Sequence, residues 1–111
     1  MITIPLKPVV ESRLFGGRRF TTKEYANFTT EFLYLIPKDT PKVMGNVKLT
    51  INFYIKHSTT TDIDNMLKGT SDCIVKAELI EDDRFIYELN VKKFKTKKVE
   101  KIEFEITPIE I

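Results

Sequence analysis

The sequence has no tryptophan, one cysteine and one histidine. With Cys73 alone, no intramolecular disulfide can staple the fold. A lone cysteine at a helical position reads as core, and no companion histidine makes it a nucleophile. No apolar run approaches the length of a membrane span, and no signal-peptide pattern opens the sequence, so the expectation is a soluble, cytoplasmic protein with no membrane partner. No G-x-x-x-x-G-K-[ST] pattern is present, which excludes a nucleotide P-loop. Repeats, linkers and low-complexity segments are missing too. A strong charge of one sign is also lacking: 18 Lys and Arg stand against 16 Asp and Glu, a net of +2.

What is present is enough for one domain, residues 1–111, with 41% apolar residues to fill a single core. A chain this short leaves much surface unburied and often completes its core by oligomerising. Charge is unevenly placed. From Asp62 to Asp83 the acids Asp62, Asp64, Asp72, Glu78, Glu81, Asp82 and Asp83 face only Lys68 and Lys76. Basic clusters flank them: Arg13, Arg18 and Arg19 before, and a lysine run from Lys92 to Lys101 after. An acidic centre with basic flanks suits an anionic substrate drawn to a cation-filled site. A solvated surface with patchy charge is the plainer alternative.

The stretch from Thr61 to Arg84, TDIDNMLKGTSDCIVKAELIEDDR, organises the chain. Ile63, Met66, Leu67, Thr70, Ile74 and Ala77 recur at steps of three and four and line one helix face. Asp64, Asn65, Lys68 and Asp72 line another, with Asp64, Lys68 and Asp72 stacked four residues apart. If the chain turns back after Glu81, Asp83 returns towards this face and the carboxylates converge around one lysine. Capping a helix N-terminus by Thr61, Asp62 or Asp64 explains one acid. It does not explain Asp-x-Asp followed by a second Asp pair, and clustered carboxylates repel unless they serve a cation. An EF-hand loop is excluded, because Leu67 stands where that loop needs glycine.

These residues resemble the RusA-type Holliday junction resolvases, whose hallmark is D-x-D-N-x-x-K on a helix followed by an acidic pair. Here that pattern is Asp62, Asp64, Asn65 and Lys68, then Asp82 and Asp83, with Asp83 nineteen residues past Asp64. The likeness is tight over residues 61–87 and looser elsewhere. It departs in residues 55–61, IKHSTTT, which lack the arginine run of some members.

Along the rest of the chain, Met1 to Lys7 reads as a first strand that Pro5 and Pro8 limit to an edge or an early exit. Residues 8–20 read as a loop turning at Gly16 and Gly17. Arg18 and Arg19 lie at its tip between Phe15 and Phe20, either as phosphate contacts or as plain exposed arginines. Thr21 to Ile36 reads as a helix with Thr21 and Glu24 as a capping box and Tyr25, Phe28, Phe32 and Leu35 as a core stripe. Pro37 ends it, and residues 38–46 form a polar turn. Val47 to Lys56 alternates strictly and is the clearest strand. His57 is chemically a candidate general base, but it matches no family position and a structural role is the reading adopted. The acidic helix follows from Asp64 to Leu79. Phe85 to Lys95 and Val99 to Ile109 then read as a β-hairpin around Thr96 and Lys97, with Phe85, Tyr87, Leu89 and Val91 on one face. The order β-α-β-α-β-β makes an α/β domain, a mixed sheet covered by two helices.

The resemblance implies a Mg²⁺-dependent endodeoxyribonuclease, with Mn²⁺ as a possible substitute, that resolves four-way DNA junctions by paired nicks. It implies metal ligation by Asp62, Asp64 and Asp83, and a cationic role for Lys68 at the scissile phosphate or leaving group. Asn65 would orient a ligand or a water, with Asp72 and Asp82 standing behind the ligands or, for Asp82, replacing Asp83 as one. DNA contact would fall to Arg13, Arg18, Arg19, Lys93, Lys95, Lys97 and Lys98. A homodimer matching the two-fold symmetry of the junction is implied as well. Short resolvase genes are often carried by prophages, which suggests phage or host recombination. The rivals are a less selective metal nuclease acting on flaps or forks, and a non-catalytic nucleic-acid-binding module.

Overall fold

A computed structural model describes residues 1–10 and 22–110. The glycine turn with its flanking Phe15 and Phe20, and the Thr21 half of the capping box, lie outside those residues. Among the described residues the order is β1 (Ile2–Ile4), α1 (Thr22–Leu35), β2 (Val47–Ile55), α2 (Ile63–Lys76), a 3₁₀ turn (Asp83–Phe85), β3 (Ile86–Lys95) and β4 (Lys101–Pro108). The β-α-β-α-β-β order and the mixed sheet under two helices are as expected.

The sheet order is β1-β4-β2-β3, with β2 in the interior. The alternation of β2 explains its place. Val47, Leu49, Ile51 and Phe53 are fully buried, and the residues between them are half-buried. A strand this apolar on one face gains most by pairing on both edges beneath the helices. β1 ends at Ile4, directly before Pro5, and among the described residues pairs only with β4. Its early exit is the one the prolines predict, since proline cannot donate to a ladder.

The expected hairpin of β3 with β4 is not formed. β3 runs parallel to β2, and β4 runs antiparallel to β2 on its other edge. α2 is the cause. A strand, a crossover helix and a return strand give a parallel pair, so α2 delivers β3 alongside β2. Residues 96–100 then carry the chain past the end of β2, where the Thr96 amide donates to the Ile55 carbonyl at 2.9 Å. β3 is thereby an outer strand. Leu89 and Val91 register with Leu49 and Ile51 on the helix side, yet Leu89 is 47% exposed and Tyr87 61%.

Both helices pack on the same side of the sheet. Phe28 and Phe32 of α1 are buried, and Phe32 stacks on Phe104 of β4 with centroids 5.9 Å apart. Tyr25 and Leu35 pack beside them as the predicted stripe requires. α2 buries Met66, Gly69, Thr70, Cys73 and Ile74. The Thr70 hydroxyl satisfies itself on the Met66 carbonyl at 3.1 Å, and Cys73 Sγ bonds Thr29 Oγ1 of α1 at 3.6 Å. Burial raises the Cys73 thiol above its ordinary value, with the Thr29 bond and Lys76 opposing and Asp72 adding to the rise. The cysteine is core, as the sequence indicates.

α2 ends with Ala77 at its C-cap and Glu78 in the left-handed region at φ 59°. The Glu78 amide donates to the Val75 carbonyl at 2.9 Å and the Leu79 amide to the Ile74 carbonyl at 3.3 Å. This is the paired-bond ending usually built on glycine. It turns the chain so that buried Leu79 and Ile80 enter the core and Ile80 bridges Val43. The acidic segment Glu81 to Asp83 leaves directly from that anchor. No helix among the described residues is long and apolar enough to cross a membrane.

Candidate metal and nucleic-acid site

The outward face of α2 carries the predicted polar set because the inward face is taken by the core. Asp62 stands at the N-cap with extended backbone, φ −80° and ψ 144°, and its side chain makes no capping hydrogen bond. The carboxylate is exposed and is not used to close the helix end, so the capping explanation fails for this residue. Asp64 lies exposed in the first turn, where an acid also suits the helix dipole. Asn65 beside it is half-buried.

Lys68 follows one turn later. Its Nζ donates to Asp72 Oδ1 at 3.2 Å, a pair spaced i to i+4. The hydrogen bond to Asp72 and that residue's charge hold Lys68 above the ordinary lysine value, against the opposing effect of desolvation. Asp83 adds its charge to the same ammonium. The chain does turn back after Glu81, and the 3₁₀ turn that begins with Asp83 lies against α2. Asp82 sits at the start of the 3₁₀ turn, without a side-chain cap, and its Oδ2 lies 3.9 Å from Arg84 Nε.

The acids do not form one tight cluster. Asp72 pairs with Lys68, while Asp62 and Asp64 precede it at the helix N-terminus and Asp83 stands on the following 3₁₀ turn. Among the described residues, no three Asp, Glu, His or Cys side chains are placed to hold a metal ion together. The donor chemistry is nonetheless that of a hard divalent cation: carboxylate oxygens with no thiolate or imidazole among them. Asp62, Asp64 and Asp83 therefore fit such an ion by ligand type.

The basic residues divide as well. Arg13, Arg18 and Arg19 lie outside the described residues. Lys97 and Lys98 line an open cleft of about 470 Å³, which they share with Lys7, Lys56 and Glu100. Lys7 and Lys56 are basic residues that the motif-based reading passed over. Only the pairing of β2 with β4, and of β4 with β1, brings these separate segments to one sheet end. Lys95 is exposed on β3. Lys93 differs from its neighbours: it is half-buried, and its ammonium donates to the backbone carbonyls of Ser58 at 2.5 Å and Thr61 at 2.8 Å. His57 uses its carbonyl, which accepts from the Thr60 amide and from the hydroxyls of Thr60 and Thr61, while its residue surface is exposed.

A family model described as Endodeoxyribonuclease RusA matches residues 5–107. No curated protein matches the chain.

Proposed function

The chain belongs to the endodeoxyribonuclease RusA family, and from that premise we propose that it is a Mg²⁺-dependent nuclease that resolves four-way DNA junctions by paired nicks. One observation carries the proposal within the family. Lys68, the lysine of D-x-D-N-x-x-K, is exposed one turn beyond Asp64 on α2, and the 3₁₀ turn that carries Asp83 lies against that helix. A phosphodiester is anionic, and exposed carboxylates alone would repel it. A bound divalent cation reverses that sign, polarises the phosphoryl oxygen and lowers the pKa of a bound water.

The chain's own residues supply the rest. Asp62, Asp64 and Asp83 would hold the ion, and Asn65 would orient a ligand or water. Lys68 is cationic near neutral pH, as any exposed lysine is, and it would exchange Asp72 for the scissile phosphate or the departing oxygen. Asp82 is an alternative ligand to Asp83. Lys95, Lys97 and Lys98, with Arg13, Arg18 and Arg19, would track the DNA backbone, and Lys7 and Lys56 extend the lysine cleft. Lys93 leaves that set, since its ammonium is already committed to two carbonyls.

A homodimer is part of the proposal. β3, the outer strand among the described residues, supports it, with Tyr87 and Leu89 61% and 47% exposed along it. Prophage-borne recombination is the proposed setting.

The test is a nicking assay on a synthetic four-way junction, a flap and a fork, with and without Mg²⁺. Symmetric nicks on the junction that need the metal support the proposal. Equal cutting of all three substrates would make it a general branched-DNA nuclease. Binding without any cutting would make it a non-catalytic module.

A further inference from the structure

Residues 57–61 join β2 to α2 and lead into Asp62. They close on themselves through the His57 carbonyl, which accepts from the Thr60 amide at 3.3 Å, Thr60 Oγ1 at 3.2 Å and Thr61 Oγ1 at 3.0 Å. This loop contributes nothing to the buried apolar core. A segment held by a few solvent-accessible hydrogen bonds opens at low cost.

Lys93 fastens this loop to the sheet. It stands on β3 in register with Phe53, on the helix side, and its ammonium reaches the loop. Two of its three donors go to the Ser58 and Thr61 carbonyls. The Thr61 carbonyl belongs to the planar peptide that leads into Asp62, so holding that oxygen fixes the plane from which Asp62 departs.

We propose that Lys93 is a positioning residue for the acidic site: by clamping Ser58 and Thr61 it sets the placement of Asp62, and it does not contact DNA. The proposal rests on the nuclease reading above. Chemistry favours the clamp over a phosphate contact. Leaving for a phosphate would strip Lys93 of two charge-assisted bonds and leave two loop carbonyls to find new partners. Lys95, Lys97 and Lys98 are exposed and bear no such cost.

The experiment compares wild type, Lys93→Met, Lys93→Arg and Lys95→Met. Three readouts are taken: amide hydrogen exchange of residues 58–63 without metal or DNA, Mg²⁺ titration followed by thermal shift, and the salt dependence of junction binding. Lys93→Met keeps the apolar stem and removes the donors. It should speed exchange at 58–63 about tenfold, the scale of one lost charge-assisted bond, and leave β2 and β4 protection unchanged. The Mg²⁺ concentration for half-maximal stabilisation should rise by about tenfold or more, as when the group orienting a ligand is lost. Lys93→Arg should restore both, and the salt slope should not move. Lys95→Met should show the reverse pattern. Should the methionine variant lose its cooperative melt, Lys93→Gln, which keeps a shorter donor, carries the same comparison.

Unchanged exchange at 58–63, or an unchanged Mg²⁺ requirement, overturns the role. A salt slope flattened by about 0.9 with a normal Mg²⁺ requirement makes Lys93 a phosphate contact instead. A wild type that neither nicks nor responds to Mg²⁺ overturns the nuclease reading and this role with it. A wild type that nicks, beside a Lys93→Met variant indistinguishable from it, overturns the role of Lys93 alone.

Discussion

Lys68 and Asp72 are bonded along α2, Nζ to Oδ1 at 3.2 Å. The lysine proposed to serve the phosphate thus has a carboxylate partner one turn beyond it, and Asp83 reinforces its charge. The pair is a surface one, with the Lys68 side chain 57% exposed. Its worth is therefore small, about 0.3–0.5 kcal/mol for an i,i+4 pair. That weakness suits the proposed exchange of Asp72 for a phosphate.

Asp72→Asn should lower the Lys68 pKa, because its largest cause of elevation is removed, and should cost roughly 0.5 kcal/mol or less. NMR titration of the Lys68 side chain and urea unfolding measure the two effects. The sign is that of a raised lysine. The pair's contribution is complete below the ordinary value of 10.5 and lost as pH rises through the higher folded value. Cleavage should persist in Asp72→Asn, and its abolition would move Asp72 into the ligand set.

Replacing Asp62, Asp64 or Asp83 singly by Asn should cut the nicking rate by about a hundredfold or more and leave junction binding largely intact. Lys68→Ala should fall in the same range. In wild type, Mg²⁺ should raise stability by about 2.7 kcal/mol at a hundredfold excess over Kd, with a smaller shift in each Asn variant. Near wild-type cutting by all three Asp variants would remove the basis for the metal assignment.

Junction binding should weaken steeply with salt. Within the cleft of Lys7, Lys56, Lys97 and Lys98, each true phosphate contact replaced by Met should flatten the log–log slope by roughly 0.9 on duplex arms. A double Lys97, Lys98 variant with an unchanged slope would show that the DNA takes another path.

Glu78→Gly should stabilise the protein by about 1 kcal/mol, because the left-handed conformation at φ 59° is costly for a residue with a Cβ. Chemical unfolding gives the value directly. A loss of stability would mean that the Glu78 side chain makes a compensating contact.

Cys73 should resist alkylation in the folded protein and react on unfolding, since burial both shields the thiol and disfavours the thiolate. The folded pKa is raised, so the stabilising contribution is complete below the ordinary value of 9.0 and declines as pH rises above it. Alkylation by iodoacetamide that kept pace with a free thiol at pH 8 would contradict the burial.

Local pattern by itself determined much of this protein. The strict alternation of β2, the core stripe of α1 and the two faces of α2 were legible because burial on one face leaves a period in the sequence. Asp64, Asn65 and Lys68 are legible because D-x-D-N-x-x-K places them on one helical surface, with Asp62 at its N-cap. Tertiary structure alone decided which strands meet. Periodicity says that a strand has a buried face but not which neighbour it pairs with, so β3 and β4, adjacent in sequence, have the pattern of a hairpin although β2 lies between them. It also decided that the turn carrying Asp83 lies against α2, and that Lys7 and Lys56 join Lys97 and Lys98, because these are meetings of distant segments. The role of Lys93 was hidden most deeply: its partners are the backbone carbonyls of Ser58 and Thr61, and every residue carries a carbonyl, so no residue type announces the contact.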